Sequence, residues 1–403
     1  MRSALALGVL ALSASSVVYA TPKPVPVTLQ ARKTPKGHVN GLRRRALSAI
    51  GVHLDDFFRG TDLQWFGNIS VGTPPQPVSV VFDTGSQTLE FASTDCSSCN
   101  QTGKFDKSKS STFKQGNDEE TLPFSTGVGV DPVVDDDYVL TVRSATDSVT
   151  VGNVTLKKVS LYTIVKQTPK FNIDPFLGIQ GMGSSAEGFF AALIRDGLDS
   201  LFSLFLTPEA VGNAELLIGG IDDSKFKGDL IYTDQTGSGD WVASSSSISI
   251  NGKTTSVLNQ QRDIIFDSGT SNILFSTETT EAIYAHISKD IKPFDAEPGA
   301  YGLPCSKIGG LPAVIDITFT SQSGEPFNLT IPSSELNVGP FDSDPSTCQT
   351  LINAFDGLDL VGGSVLKHYY SVWDVGNQRL GFAPNAVNSC QITHALAFGY
   401  CRG

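Results

Sequence analysis

One pattern occurs twice in this chain, and it constrains the fold more than anything else in the sequence. VVFDTGSQTLEF (80–91) returns 184 residues later as IIFDSGTSNILF (264–275). In each copy two apolar residues and Phe precede an Asp; a hydroxyl residue, Gly and a second hydroxyl residue follow; then the chain turns apolar again. A lone carboxylate in such a run costs several kcal/mol in desolvation unless partners hold it. Asp-[Ser/Thr]-Gly arises by chance on the order of once per couple of thousand positions, so two copies with matched flanks indicate a duplicated unit. An apolar-Gly segment also repeats. Gly178 of FLG follows Asp83 by 95 residues, and Gly362 of LVG follows Asp267 by 95; with Gly181 of IQG as counterpart the first spacing is 98. The chain therefore reads as two related lobes, 61–235 and 236–403, each bringing one Asp, with GSGD (237–240) at the junction.

The rest of the sequence supplies strands for such lobes. Short β-branched runs such as YVLTV, SVTVG and AVIDITFT recur between Gly, Asn and Pro punctuation, which is the signature of an all-β protein with minor helices. FFAALIRDGL (189–198) and TTEAIYAHISKDI (279–291) are the helical candidates.

The repeat predicts a specific chemistry. A carboxylate at a strand-to-turn junction, beside a Gly that permits close approach, can be presented where two lobes meet. Two lobes related by a pseudo-twofold bring Asp83 and Asp267 together. At hydrogen-bond distance both cannot ionise freely, so they share a proton and one pKa rises. Such a pair holds a base and an acid at once: one partner takes a proton from water, the other gives one to a carbonyl oxygen. Ser86 and Thr270 are placed to donate to the outer carboxylate oxygens, Thr84 and Ser268 to cross-link the loops, and Gly85 and Gly269 to offer backbone N–H groups. No metal and no cofactor is required. HExxH and clustered His are lacking, which leaves a metal hydrolase without support; no G-x-S-x-G elbow supports a serine nucleophile.

The ends and the charge suggest a route through the cell. Arg2, the apolar run ALALGVLAL and small residues up to Ala20 form a secretory signal, 1–20. Residues 21–50 hold seven Lys or Arg and no acid, whereas the chain from Ala46 onward holds 21 basic and 41 acidic residues, a formal charge of −20. A basic pro-segment (21–60) docked on an acidic body by ion pairs is the expectation, released when acid protonates the carboxylates. The alternative is a solvated tail. An acidic body argues against nucleic acid, no later stretch is long enough for a membrane span, and a monomer is expected. Cys96, Cys99, Cys305, Cys348, Cys390 and Cys401 suit an oxidising compartment and allow 15 pairings. Sequential pairing is the expectation; a zinc or redox half-site at Cys96/Cys99 is the rival. Asn68, Asn100, Asn153 and Asn328 match the N-glycosylation pattern.

At this level of detail the sequence resembles a pepsin-like aspartic endopeptidase, in its secreted fungal form, over residues 63–385. The resemblance is carried by WFGNISVGTPPQPVSVVFDTGS, ELLIGGID (215–222), IIFDSGTS and LVGGSVLKHYYSVWDVGNQRLGFAP (360–384). It implies a bilobal fold of two barrel-like lobes with a cleft between them, an extended polypeptide substrate, an acidic optimum, and a disulfide matching Cys305–Cys348. The proton-sharing pair is itself a property described for that family. Secretion to the medium is expected ahead of delivery to a vacuole.

Two positions depart from the family. Where it usually carries Trp after the first Asp loop, this chain has Glu90. Where its flap carries Tyr followed by Gly-Thr-Gly, the alignment gives Phe124-Ser125-Thr126-Gly127. Glu90 is expected on the surface of a rerouted loop, with a third carboxylate near the pair as the alternative. Asp135-Asp136-Asp137 is expected as a solvated turn. A two-lobed relative that binds a protein without catalysis is the competing function; such relatives lose an Asp or its Gly, and both loops are intact here.

Overall fold

In a computed structural model the residues described are 48–403, apart from 128–130, 186–187, 388, 391–392, 395–400 and 403. The signal segment and the pro-segment up to residue 47 lie outside them. The protein is mostly β. The described strands form one sheet of thirteen strands, one of eight and two smaller ones. The two expected helices are present as Phe189–Arg195 and Thr277–Ile287. The second is capped by the Ser276 side chain, which accepts from the Thr279 N–H, satisfying a donor that has no intrahelical partner. Among the described residues no helix is long and apolar enough to cross a membrane.

The duplicated unit folds the same way twice. In the first half, strand Gln76–Asp83 runs into the Asp83 turn and strand Leu89–Ala92 leaves it. Strand Gly178–Gly181 lies between them, parallel to the first and antiparallel to the second. In the second half, Arg262–Phe266, Ile273–Phe275 and Asp359–Val361 repeat the arrangement. Register decides which glycine is the counterpart. Asp83 faces Gly181, and Val80 faces Gly178; Phe266 faces Val361, so Gly362 continues to Asp267. The matched pair is therefore Gly181 and Gly362, with spacings 98 and 95. Backbone approach explains why each must be Gly. A Cβ on Gly181 would sit 2.4–2.5 Å from backbone atoms of Gln87 and Thr88, and one on Gly362 would sit 2.3 Å from the Thr270 carbonyl oxygen. We expect Gly181→Ala to lower stability by about 3 kcal/mol, because rigid backbone cannot yield as a side chain would. Urea unfolding checks this, and an unchanged midpoint would contradict it.

A second set of strands ties the halves together. Strand Tyr369–Asp374 pairs with Leu201–Phe205 of the first half and with its own neighbour Arg379–Pro384. Leu201–Phe205 pairs with Ala214–Ile218, which pairs in turn with Ile50–Phe58. Along Ile50–Leu54 burial alternates strictly, with Ile50, Val52 and Leu54 inward and Gly51 and His53 outward, the period of a half-buried strand. An aromatic cluster seals this region: Phe202 stacks on Trp373 at 5.7 Å, and Trp241 meets Trp373 edge-on at 5.4 Å. Trp241 Nε1 donates to the Met182 carbonyl at 2.8 Å, joining the start of the second half to the end of the Gly181 strand.

Cys96–Cys99 and Cys305–Cys348 are disulfides. The Cys96/Cys99 thiols are thus taken up by each other rather than by zinc. The backbone sets Cys390 opposite Cys401. Asn68, Asn100 and Asn153 are exposed. Asn328 is buried, and its side-chain oxygen accepts from Thr318, a placement that does not suit a glycan. Asp135 and Asp136 are exposed, with Asp135 in the left-handed region at φ 52°.

Candidate active site

The two Asp turns meet. Thr84 N–H donates to Ser268 Oγ at 3.1 Å, and Ser268 N–H donates to Thr84 Oγ1 at 2.8 Å. Each hydroxyl then donates across to the opposite strand: Thr84 to the Phe266 carbonyl at 3.0 Å, Ser268 to the Phe82 carbonyl at 2.6 Å. These four reciprocal bonds are buried, where they are electrostatically stronger than in water. They lock the turns in register beneath the carboxyl groups.

Above this platform Asp83 and Asp267 converge. Gly85 N–H lies 2.8 Å from Asp83 Oδ1 and 3.2 Å from Asp267 Oδ1. Gly269 N–H lies 2.8 Å from Asp267 Oδ1. Ser86 Oγ donates to Asp83 Oδ2 at 2.6 Å, and Thr270 Oγ1 donates to Asp267 Oδ2. Inner oxygens thus face each other and the backbone, while outer oxygens take hydroxyls. Glycine is required on both sides: a Cβ on Gly85 would lie 2.7 Å from the Asp267 carboxyl carbon, and one on Gly269 would lie 2.3 Å from that of Asp83. Burial, then the charge of Asp267 and the hydrogen bond to it, hold the Asp83 carboxyl well above the usual range. Ser86 and Gly85 oppose this shift without cancelling it. The pair can therefore keep a proton where two isolated carboxyls would have lost theirs.

Beneath the second turn, Gln64 donates through Nε2 to the Gly269 carbonyl. Among the described residues no His, Cys, Asp and Glu group is arranged to hold a metal.

The hairpin expected to be the flap is built from strands Lys114–Pro123 and Val139–Val151. Phe124 N–H donates to the Tyr138 carbonyl at 2.9 Å, closing the base of its tip. The Phe124 ring is half-buried and meets Phe171 edge-on at 5.8 Å. The Thr126 and Thr270 hydroxyls are hydrogen-bonded at 2.7 Å, so the flap reaches the outer oxygen of Asp267 through one intermediary. Gly127 lies against the Tyr138 ring, which a Cβ would approach to 2.3 Å. An open cleft of about 500 Å³ lies between this hairpin and the turns, lined by Asp83, Asp267, Phe124, Ser125 and Thr126, together with Gln87, Glu90 and Asp240.

The surface placement expected for Glu90 is wrong. Glu90 is 1 % exposed and lines this cavity. Its strand, Leu89–Ala92, is paired along both edges, with Val154–Gln167 and Gly178–Gly181, and all four of its residues are buried, so no rerouted loop exists. Burial pushes its carboxyl up to about 8, against a smaller opposing contribution from Thr88, whose hydroxyl donates to Glu90 Oε2 at 2.7 Å. Asp240 was not singled out by sequence; its carboxyl is raised by partial burial and then by the charge of Asp267. Its one sequence signal is an acid directly before the buried Trp241.

Comparison with known proteins agrees with this geometry. Residues 64–385 match the eukaryotic aspartyl protease family. A probable vacuolar protease A of Arthroderma benhamiae is 32% identical over 359 residues, covering 83% of this chain and 81% of its own. Pepsin A of Sus scrofa is 31% identical over 346 residues (81% and 82%), and cathepsin D of Gallus gallus 30% over 347 residues (80% and 81%).

Proposed function

The chain belongs to the eukaryotic aspartyl protease family and is an aspartic endopeptidase acting on polypeptides, and we propose that Asp83 and Asp267 carry its chemistry by sharing one proton over a bound water. The ionised carboxyl takes a proton from that water as its oxygen attacks the peptide carbonyl carbon. The protonated carboxyl delivers its proton to the carbonyl oxygen, giving a neutral tetrahedral diol. Return of a proton to the amide nitrogen then lets the C–N bond break, and the two fragments leave as acid and amine. No covalent intermediate is needed, because acid and base act in the same step. The observation that carries this reading is the convergence of both Oδ1 atoms on the Gly85 N–H: the carboxyls are close enough for one proton to serve both.

We propose further that the protein is made as a secreted zymogen. The support lies in the sequence: a signal-like segment 1–20, then a leader without acidic residues ahead of an acidic body. Delivery to a vacuole, suggested by the names of two relatives, is the less favoured destination. Strand Ile50–Phe58 pairs with both Ala214–Ile218 and Asp62–Val71. Removing it would leave two unpaired edges, so the leader is taken to end before Ile50 rather than at residue 60. The test is exposure of the full-length secreted form to pH 3–7 with a peptide substrate present. Expected is shortening at the N-terminus with onset of cleavage at the acidic end. A chain that stays intact and inactive in acid would overturn the zymogen reading, and an activity that peaks at neutral pH would overturn the shared proton.

A further inference from the structure

Glu90 is left over when the shared-proton chemistry has been accounted for. It lies in the cavity that holds Asp83 and Asp267, and the mechanism gives it no task. Among the cavity-lining residues there is no Lys, Arg or His, and three other carboxyls, Asp83, Asp240 and Asp267, are present. A buried carboxyl in that company has no counter-charge and is neutral in acid. A neutral carboxyl has one carbonyl oxygen and one hydroxyl. With Thr88 Oγ1 donating to Oε2, Oε2 is the carbonyl and the hydroxyl sits on Oε1. That hydroxyl has no acceptor among the described residues. It borders the open cavity, where water can serve as its acceptor, and a ligand that displaces that water must supply an acceptor in its place.

We infer that Glu90 is a specificity-determining residue, donating from its free oxygen to a carbonyl-bearing side chain of the substrate, with glutamine or asparagine as the preferred class. The inference rests on the endopeptidase reading for the existence of the cleft, but not on the shared proton. An apolar side chain in this pocket would seal the hydroxyl from water and supply no acceptor. A lysine would offer only donors to a group that is itself a donor. A carboxamide supplies the acceptor, and sites built on such a hydrogen bond discriminate strongly against isosteres that lack it. Phe124 and Leu122 line the same cavity and would pack the methylene stem of the incoming side chain.

The test uses peptides in which a reduced CH2–NH bond replaces the scissile amide, so that binding is read without cleavage. Glutamine, norleucine and lysine are placed in turn at each flanking position, and dissociation constants are measured by calorimetry at pH 5. Expected is one position where glutamine binds about tenfold more tightly than norleucine, the factor that a single well-placed hydrogen bond confers. Glu90→Gln keeps an acceptor for Thr88 and an N–H donor toward the cavity, so the preference persists. Glu90→Leu removes the donor, and the preference vanishes. Equal binding of glutamine and norleucine at every position overturns the inference, as does tightest binding by lysine or a preference that survives Glu90→Leu. Should Glu90→Leu fail to fold, Glu90→Met, which also lacks the donor, takes its place, with the same loss of preference expected. Absence of cleavage of the corresponding amide peptides, with the binding preference intact, would defeat the proposed cleavage chemistry and leave this assignment standing.

Discussion

Asp83→Asn and Asp267→Asn each lower kcat by at least about 10³-fold and leave the fold in place. The size follows from the role proposed for the pair: general acid–base assistance contributes about 10²–10⁴, and either substitution disables both parts of that role, because an amide can neither take the proton of water nor pass one on. Groups that act as a unit lose nearly everything when one is removed, so the two variants should be alike rather than graded. Geometry says the fold survives. An Asn side chain fills the same space, still accepts from the Gly85 or Gly269 N–H through its oxygen, and leaves the Thr84–Ser268 cross-link untouched. Each variant also removes one partner of a like-charge pair, so stability at neutral pH should hold or rise. Peptide cleavage across pH 3–7, with urea unfolding of the same preparations, separates the two effects. Wild-type activity in either variant would remove the pair from the mechanism.

What was legible in the sequence was what is local and repeated. Asp-[Ser/Thr]-Gly between apolar strands encodes its own turn, and its second copy revealed the duplication before any contact was known. Which glycine matched which was not legible, since Gly178 and Gly181 both follow apolar residues; only the register of Asp83 against Gly181 decides. Glu90 misled for a physical reason. A charged residue where the family carries an aromatic reads as the surface of a rerouted loop, but the strand Leu89–Ala92 keeps a neighbour on each edge and all four of its residues are buried. Lys367 carried the same signal as Asp83, a charge inside an apolar run, and passed unnoticed. It is 4 % exposed and bridges Asp62 at 2.8 Å and Glu335 at 2.9 Å. Asp62 lies 305 residues away, a distance over which no single sequence announces a partner. The return of Tyr369–Asp374 to Leu201–Phe205 was hidden likewise, because strand pairing between halves leaves no local trace.

Glu90→Gln should make the protein markedly more stable at pH 8 and change it little at pH 4. In the unfolded chain a Glu carboxyl titrates near about 4.3; in the folded protein burial holds Glu90 protonated up to about 8. Between these values the folded state binds a proton that the unfolded state has released. Stability is therefore fully present below the unfolded value, falls as pH rises, and levels off above the folded one. The interval corresponds to a loss on the order of 5 kcal/mol at its alkaline end, a large share of the stability of an ordinary domain. Glutamine is neutral throughout and can keep the Thr88 hydrogen bond, so that loss disappears. The variant will still weaken with pH, because Asp83 is also held high, by burial and by Asp267, and Asp56 is raised to about 8 by burial and by its neighbour Asp62. Urea unfolding of both proteins at pH 4 and pH 8 measures the difference directly. An equal effect of the substitution at the two pH values would mean that Glu90 is ionised throughout, and that its carboxyl has a counter-charge or water which the buried strand between Val154–Gln167 and Gly178–Gly181 does not provide.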